Sequence, residues 1–164
     1  MEKINNLLVL ICITTIIISC AKKDSSTPNT STSTTSTVAN GSINVGSETL
    51  SGIYASSCTT TFVDLFISLG AMPSDSKSYK TVYVVTGDTT FSDETYLYSD
   101  TSCRSNTMIM KDGLDNLTVG DASGSNYKVT YKETSYKMTA NSATAETFYE
   151  ALFQTQAGVT IDLT

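Results

Sequence analysis

The stretch Tyr127-Lys128-Val129-Thr130-Tyr131-Lys132 (YKVTYK) alternates large apolar and polar side chains with a period of two. In an extended chain successive side chains point to opposite faces, so Tyr127, Val129 and Tyr131 share one face and Lys128, Thr130 and Lys132 the other. The stretch therefore predicts a half-buried β-strand, and Tyr136 and Met138 continue it past a kink near Thr134.

The same texture extends outward in both directions. Residues 78–91 (SYKTVYVVTGDTTF) and 94–100 (ETYLYSD) predict two antiparallel strands, with Gly87-Asp88 supplying the positive-φ chemistry of the turn. Shorter strands are expected at Gly52–Ser57, Thr107–Lys111 and Leu117–Val119. They are separated by residues 111–116 (KDGLDN) and 120–126 (GDASGSN), both rich in turn-forming residues. Two segments break the pattern. In residues 60–70 (TTFVDLFISLG), Phe62, Leu65, Phe66 and Leu69 recur at helical spacing before Gly70, which predicts a short amphipathic helix. In residues 141–158 (NSATAETFYEALFQTQAG), Phe148 with Leu152 and Tyr149 with Phe153 stand four apart. Asn141 or Ser142 can serve as N-cap and Gly158 as the stop. Both helices are expected to brace the sheet. The fold class is mainly β: an antiparallel meander forming a small barrel or sandwich with one or two short helices. Val159 to Thr164 reads as a last strand with no turn or polar tail behind it, which implies either a closing strand or a longer native chain.

The N-terminal third has a different composition. Lys3 precedes an apolar run from Leu7 to Ile18, broken only by Thr14 and Thr15. The run is shorter than the roughly 20 residues a bilayer-spanning helix needs, and its layout is that of a signal peptide. It ends at Ile17-Ile18-Ser19-Cys20, which resembles the lipobox of bacterial lipoproteins. The resemblance implies that residues 1–19 are removed, that Cys20 carries the lipid, and that the partner reached through this N-terminal lipid is a membrane. Several acyl chains give stable anchoring where one gives only reversible binding. Ala21 rather than Asp follows the cysteine, which in the family's sorting logic favours the outer membrane of a bacterial envelope, on its periplasmic face or at the cell surface. The n-region departs from the pattern in being weakly basic, because Glu2 offsets Lys3.

Residues 20–41 follow as the lipidated cysteine and a tether. From Ser25 to Thr37 only Pro28 and Asn29 interrupt a run of Ser and Thr, a composition that cannot bury enough apolar surface to fold. Stretched, this segment reaches up to about 70 Å. Residues 42–164 form the β-rich extracytoplasmic domain. With Cys12 in the signal and Cys20 taken by lipid, Cys58 and Cys103 remain in an oxidising compartment and are expected to pair as a structural disulfide.

Composition narrows the function. A net charge of −6 and a pI near 4.4 without a basic stripe argue against nucleic acid as a partner. The sequence contains no histidine, so Ser-His-Asp and Cys-His schemes are unavailable. The carboxylates Asp93, Glu94, Asp112 and Asp115 fall in stretches read as turns, where acidic residues serve local hydrogen bonds rather than catalysis. The loop Asp112 to Asn116 bunches oxygen ligands but lacks the alternation of a calcium loop, and no metal or other cofactor is expected. Nine tyrosines against no tryptophan stand out. Tyr79, Tyr83, Tyr96, Tyr98, Tyr127 and Tyr131 serve either as strand filler or as an exposed contact ladder for a protein, glycan or lipid. Ser51-Gly52-Ile53-Tyr54 resembles the Gly-x-Trp opening of lipocalin-like barrels, with Tyr in place of Trp and the family's other signatures missing. That resemblance implies a carrier of a small apolar ligand. The leading expectation is a membrane-anchored lipoprotein with a non-catalytic binding domain; the alternatives are the carrier or a structural accessory of an envelope complex.

Overall fold

The computed structural model describes residues 35–124 and 126–157. The expected signal peptide, Cys20, residues 20–34 of the tether and the apparent strand after Gly158 lie outside the described residues.

Seven strands run in chain order: β1 (Ser42–Val45), β2 (Glu48–Ser51), β3 (Ile53–Ala55), β4 (Ser78–Val85), β5 (Phe91–Tyr98), β6 (Asn106–Ser123) and β7 (Asn126–Ala140). The helices are α1 (Val63–Ser68), between β3 and β4, and α2 (Ala143–Ala157), after β7. Strands β3 to β7 pair with their sequence neighbours in an antiparallel meander, while β1 and β2 form a separate hairpin. The mainly β expectation holds in its meander form. The barrel does not: among the described residues the sheet is open, with β3 and β7 at its edges.

The strands predicted over residues 78–91 and 94–100 are β4 and β5; Gly87 and Asp88 lie in the connection between them, but neither takes the expected positive φ. The predicted turn at residues 111–116 does not form. Thr107–Lys111, the supposed turn and Leu117–Val119 are parts of one strand, β6, which pairs with β7 through three register shifts at Gly113/Leu114, Asp115/Thr118 and Val119/Ala122. Turn-forming residues inside a long strand are accommodated as bulges, since an unpaired residue kinks the strand without ending it. Of residues 120–126, also read as a turn, 120–123 belong to β6 and Asn126 to β7, and the chain turns at Gly124, with φ 64°.

The meander has two faces with different covers. On the first, Tyr79, Leu97 and Met108 pack with Val63 and Phe66 of α1, with Met72 and with Ala145 of α2. The rings of Phe66 and Tyr79 meet edge to face at 6.4 Å. Ser142 caps α2, its hydroxyl accepting from the Ala145 N–H at 3.1 Å and donating to Asp75 at 2.8 Å. The apolar stripe of α1 differs from the expected one: Val63 and Phe66 are buried, whereas Phe62, Leu65 and Leu69 stand exposed. The segment leading into α1 is fixed by the Thr59↔Tyr79 bridge, so the six-residue helix presents the side that this entry allows.

On the second face Val82, Val84, Tyr96 and Tyr98 form a smaller core, closed by Ala39, Ile109 and Cys103. Here residues 35–41, assigned above to the tether, are packed structure. Thr35 is buried, Asn40 donates its N–H to the Val85 carbonyl at 2.9 Å, and Gly41 lies against Gly87 so closely that a Cβ would fall 2.5 Å from the Gly87 Cα.

Cys58 and Cys103 form the expected disulfide, with Cα atoms 5.8 Å apart, tying the approach to α1 to the β5–β6 loop. The linked residues are separated by 45 positions. On the chain-entropy relation such a loop closure stabilises the fold by about 4 kcal/mol. Reduction, or the paired substitution C58S/C103S, is expected to lower the unfolding free energy by about 3–4 kcal/mol in urea titrations, an outcome that an unchanged midpoint would contradict.

Candidate functional site

Strand β5 places two adjacent carboxylates on opposite faces of the sheet, and their surroundings differ. Glu94 projects into the second face with its side chain fully buried. Its carboxylate accepts hydrogen bonds from the hydroxyls of Thr37, Ser92 (3.1 Å) and Tyr96 (2.5 Å), and the Lys111 ammonium stands 3.5 Å away. Burial alone would raise its pKa, but the hydroxyls of Thr35, Thr37 and Tyr96 and the Lys111 charge outweigh it and hold Glu94 below its ordinary value.

Asp93 faces the other way. The register sets it between Tyr83 on β4 and Asp112 on β6, and Asp112 in turn stands opposite Tyr136 on β7. Glu133, opposite Leu114, lies on the same face, and Phe91 meets the Tyr131 ring edge to face at 5.7 Å. Desolvation first, then Asp112 and Glu94, push the Asp93 carboxyl up to about 7. Desolvation and Glu133 push Asp112 up to about 6. The surrounding phenols are displaced as well: Tyr83 rises to about 12 through burial, Asp93 and Tyr131, and Tyr136 rises through burial, Asp112 and Tyr149. The result is a half-buried trough of carboxyl groups walled by protonated tyrosines, on one half of this face. Two like charges directly opposite each other on neighbouring strands repel. Chemically the trough is suited to a group that brings positive charge or hydrogen-bond donors and an apolar body.

The six tyrosines read as strand filler or contact ladder are therefore divided. Tyr79, Tyr96 and Tyr98 are core residues, each under 5% exposed (4%, 3% and 4%), because α1 covers Tyr79 and the segment from Thr35 covers the face holding Tyr96 and Tyr98. Tyr83 and Tyr131 line the trough. Tyr127 is partly exposed, and its ring seats against the β1–β2 turn, where a Cβ on Gly46 would fall 2.1 Å from its hydroxyl. Tyr136, outside these six, is 48% exposed and belongs to the site. Its position was legible as a continuation of the alternation, but its pairing with Asp112 depends on the bulge near Thr134.

The carboxylates read as turn residues are strand residues: Asp93 and Glu94 lie in β5, Asp112 and Asp115 in β6. Within the stretch Asp112 to Asn116, Asp112 faces the trough while Asp115 pairs with Lys132 on the other side, so their oxygens do not converge as in a calcium loop. Among the described residues no set of three or more histidine, cysteine or acidic side chains is grouped to hold a metal ion. A shallow depression of about 420 Å³ between β1, the β4–β5 turn and β6, with Ile43, Asp88 and Leu117 among its walls, is separate from the trough. Comparisons with protein-family models, with curated proteins and with solved structures find no match.

The two carboxylates of β5 respond to pH in opposite senses. Glu94, with a lowered folded value, stabilises the fold above its ordinary value, and that contribution is lost as the pH falls through the folded one. Lys111→Met leaves the buried charge with hydroxyl partners alone and is expected to cost roughly 3 kcal/mol at neutral pH in urea unfolding; no loss would remove the ion pair from the account. Asp93, with a raised folded value, contributes full stability below the ordinary value of 3.8, and this is lost as the pH rises through about 7. D93N is thus expected to raise the melting temperature at pH 8 and leave it nearly unchanged at pH 4, a pattern checked by calorimetry at both values.

Proposed function

We propose that this chain is a lipid-anchored bacterial envelope protein whose β domain acts by recognition rather than catalysis. The observation that carries the reading is the trough: tyrosines and paired carboxylates gathered on one half of the sheet face, which α2 approaches where Tyr149 nears Tyr136. Aromatic side chains with two rotatable torsions supply contact area at low entropic cost, and unpaired carboxylates add selectivity for cationic or donor-rich groups on a protein or glycan. The lipobox-like Ile17-Ile18-Ser19-Cys20 supports the anchor, with the outer membrane as the destination favoured by Ala21. The Ser/Thr segment up to residue 34 supports display at a distance from the bilayer.

The chemistry of the site supports the non-catalytic reading. Desolvation and neighbouring acids raise both Asp93 and Asp112, and the sequence supplies no histidine, the commonest general base near neutral pH. Among the described residues the open sheet offers no barrel interior for a carried apolar ligand.

Metabolic labelling with an alkyne fatty acid in a Gram-negative host tests the anchor: label on the wild-type chain and none on C20S is the expected result. Photo-crosslinking in the same cells tests recognition. A benzoylphenylalanine at Tyr131 is expected to give a discrete adduct that the same probe at exposed Leu69 does not. Turnover of an envelope glycan that disappears in D93N/D112N would overturn the non-catalytic reading.

A further inference from the structure

The long hairpin of β6 and β7 leaves its outer strand exposed on both faces, apart from the Tyr127 ring, which meets the β1–β2 turn. Strand β7 spans fifteen residues, has β6 as its only neighbour among the described strands, and is exposed on both faces from Asn126 to Lys137. Its outer edge is a row of backbone donors and acceptors able to pair with an added strand. The opposite edge, β3, is three residues long and offers no comparable row. The shift near Thr134, whose hydroxyl donates to the Gly113 carbonyl at 3.0 Å, sets residues 126–133 apart from the rest of β7; the two further shifts within this span place their extra residues on β6 and not on β7.

Side-chain parity over that stretch selects among partners. Tyr127, Val129 and Tyr131 lie toward the trough face, as the Phe91–Tyr131 contact fixes. Lys128, Thr130 and Lys132 lie on the opposite face, as the Thr118–Thr130 hydroxyl contact at 2.5 Å and the pairing of Lys132 with Asp115 fix. Lysines on an exposed edge disfavour pairing with an identical edge, because like charges meet across the new ladder. The same lysines favour a strand carrying carboxylates at alternate positions.

We propose that the outer edge of β7 over residues 126–133 is a strand-acceptor site for an extended protein segment with acidic residues at every second position and apolar or aromatic residues between them. Such a segment sets its carboxylates beside Lys128 and Lys132 and its apolar side chains beside Tyr127, Val129 and Tyr131. This names a partner for the recognition role proposed above and rests on that reading. A cationic group on the same partner, placed near Glu133, would reach the trough, so that edge and trough form one continuous surface.

The test uses the purified full chain in detergent micelles and a fluorescent, end-blocked octapeptide of alternating Glu with Val or Tyr. Saturable binding by anisotropy, with slowed amide exchange confined to residues 126–133 by mass spectrometry, is the expected result. Methylating alternate amide nitrogens on one edge of the peptide is expected to abolish binding. K128E/K132E is expected to weaken the acidic peptide by about tenfold and to confer binding of the corresponding alternating Lys peptide. Equal binding of the methylated peptide, or no binding of the unmethylated one, overturns the strand-acceptor site. Protection at Tyr83 and Tyr136 with residues 126–133 unchanged overturns it as well, while leaving the recognition reading intact. Failure of the Tyr131 crosslink alone counts against that broader reading.

Discussion

A fully buried glutamate in the middle strand of a small sheet is the constraint around which this domain is arranged. Glu94 cannot remain charged in an apolar core without partners, since an unpaired buried carboxylate costs several kcal/mol. Its partners come from three places in the chain: Ser92 and Tyr96 on its own strand, Lys111 on β6, and Thr37 ahead of the first strand. Meeting that demand brings the end of a Ser/Thr-rich segment onto the sheet, where Ala39 then helps close the core of Val82, Val84, Tyr96 and Tyr98. A polar segment with almost no apolar content is thus ordered by what it does for a charge rather than by its own hydrophobicity.

The neighbouring residue shows the opposite solution. Asp93 faces the reverse side of the sheet, its cross-strand neighbour is another aspartate, and among the described residues neither has a salt-bridge partner. One turn of the pleat separates a carboxyl held below its ordinary pKa from one pushed far above it. Electrostatic satisfaction is used for structure on one side and withheld on the other. Under the proposed recognition role, an outside partner would answer the charge that the sheet leaves unanswered at Asp93 and Asp112.

Much of the architecture was legible because local alternation and turn chemistry agree with it. β4, β5 and the β6–β7 hairpin follow from period-two patterns, and α2 follows from its i, i+4 aromatic spacing and the Ser142 cap. The disulfide followed from counting cysteines once the lipobox resemblance had removed Cys20. What failed depended on long-range context. Lys111 to Asn116 has the composition of a turn, yet pairing with β5 on one side and β7 on the other holds it extended through bulges. For the tyrosines of β5 the choice between strand filler and surface ladder stayed open, because the sequence gives no sign that residues 35–41 return to cover them. The rotation of α1, which buries Val63 instead of Leu65, is set by the Thr59↔Tyr79 bridge and is invisible in helical periodicity alone. The acid trough was missed for the same reason: Asp93 and Asp112 are nineteen positions apart, and register alone places them side by side.

The placement of these features bears on how an anchored domain can work. The described chain enters the sheet at Thr35, on the face clamped by Glu94, whereas the trough lies on the reverse face and the exposed strand at the far edge. In the proposed lipoprotein the pull of the tether falls on the side already stabilised by the ion pair and the buried hydroxyls. The tyrosine and carboxylate face and the β7 edge are left free of it. Strand β7 can remain long and uncovered without self-association because Lys128 and Lys132 repel a second copy of the same edge. The basic side chains that protect the edge thereby also restrict which strands it accepts, and protection and selectivity become a single property of the same two residues.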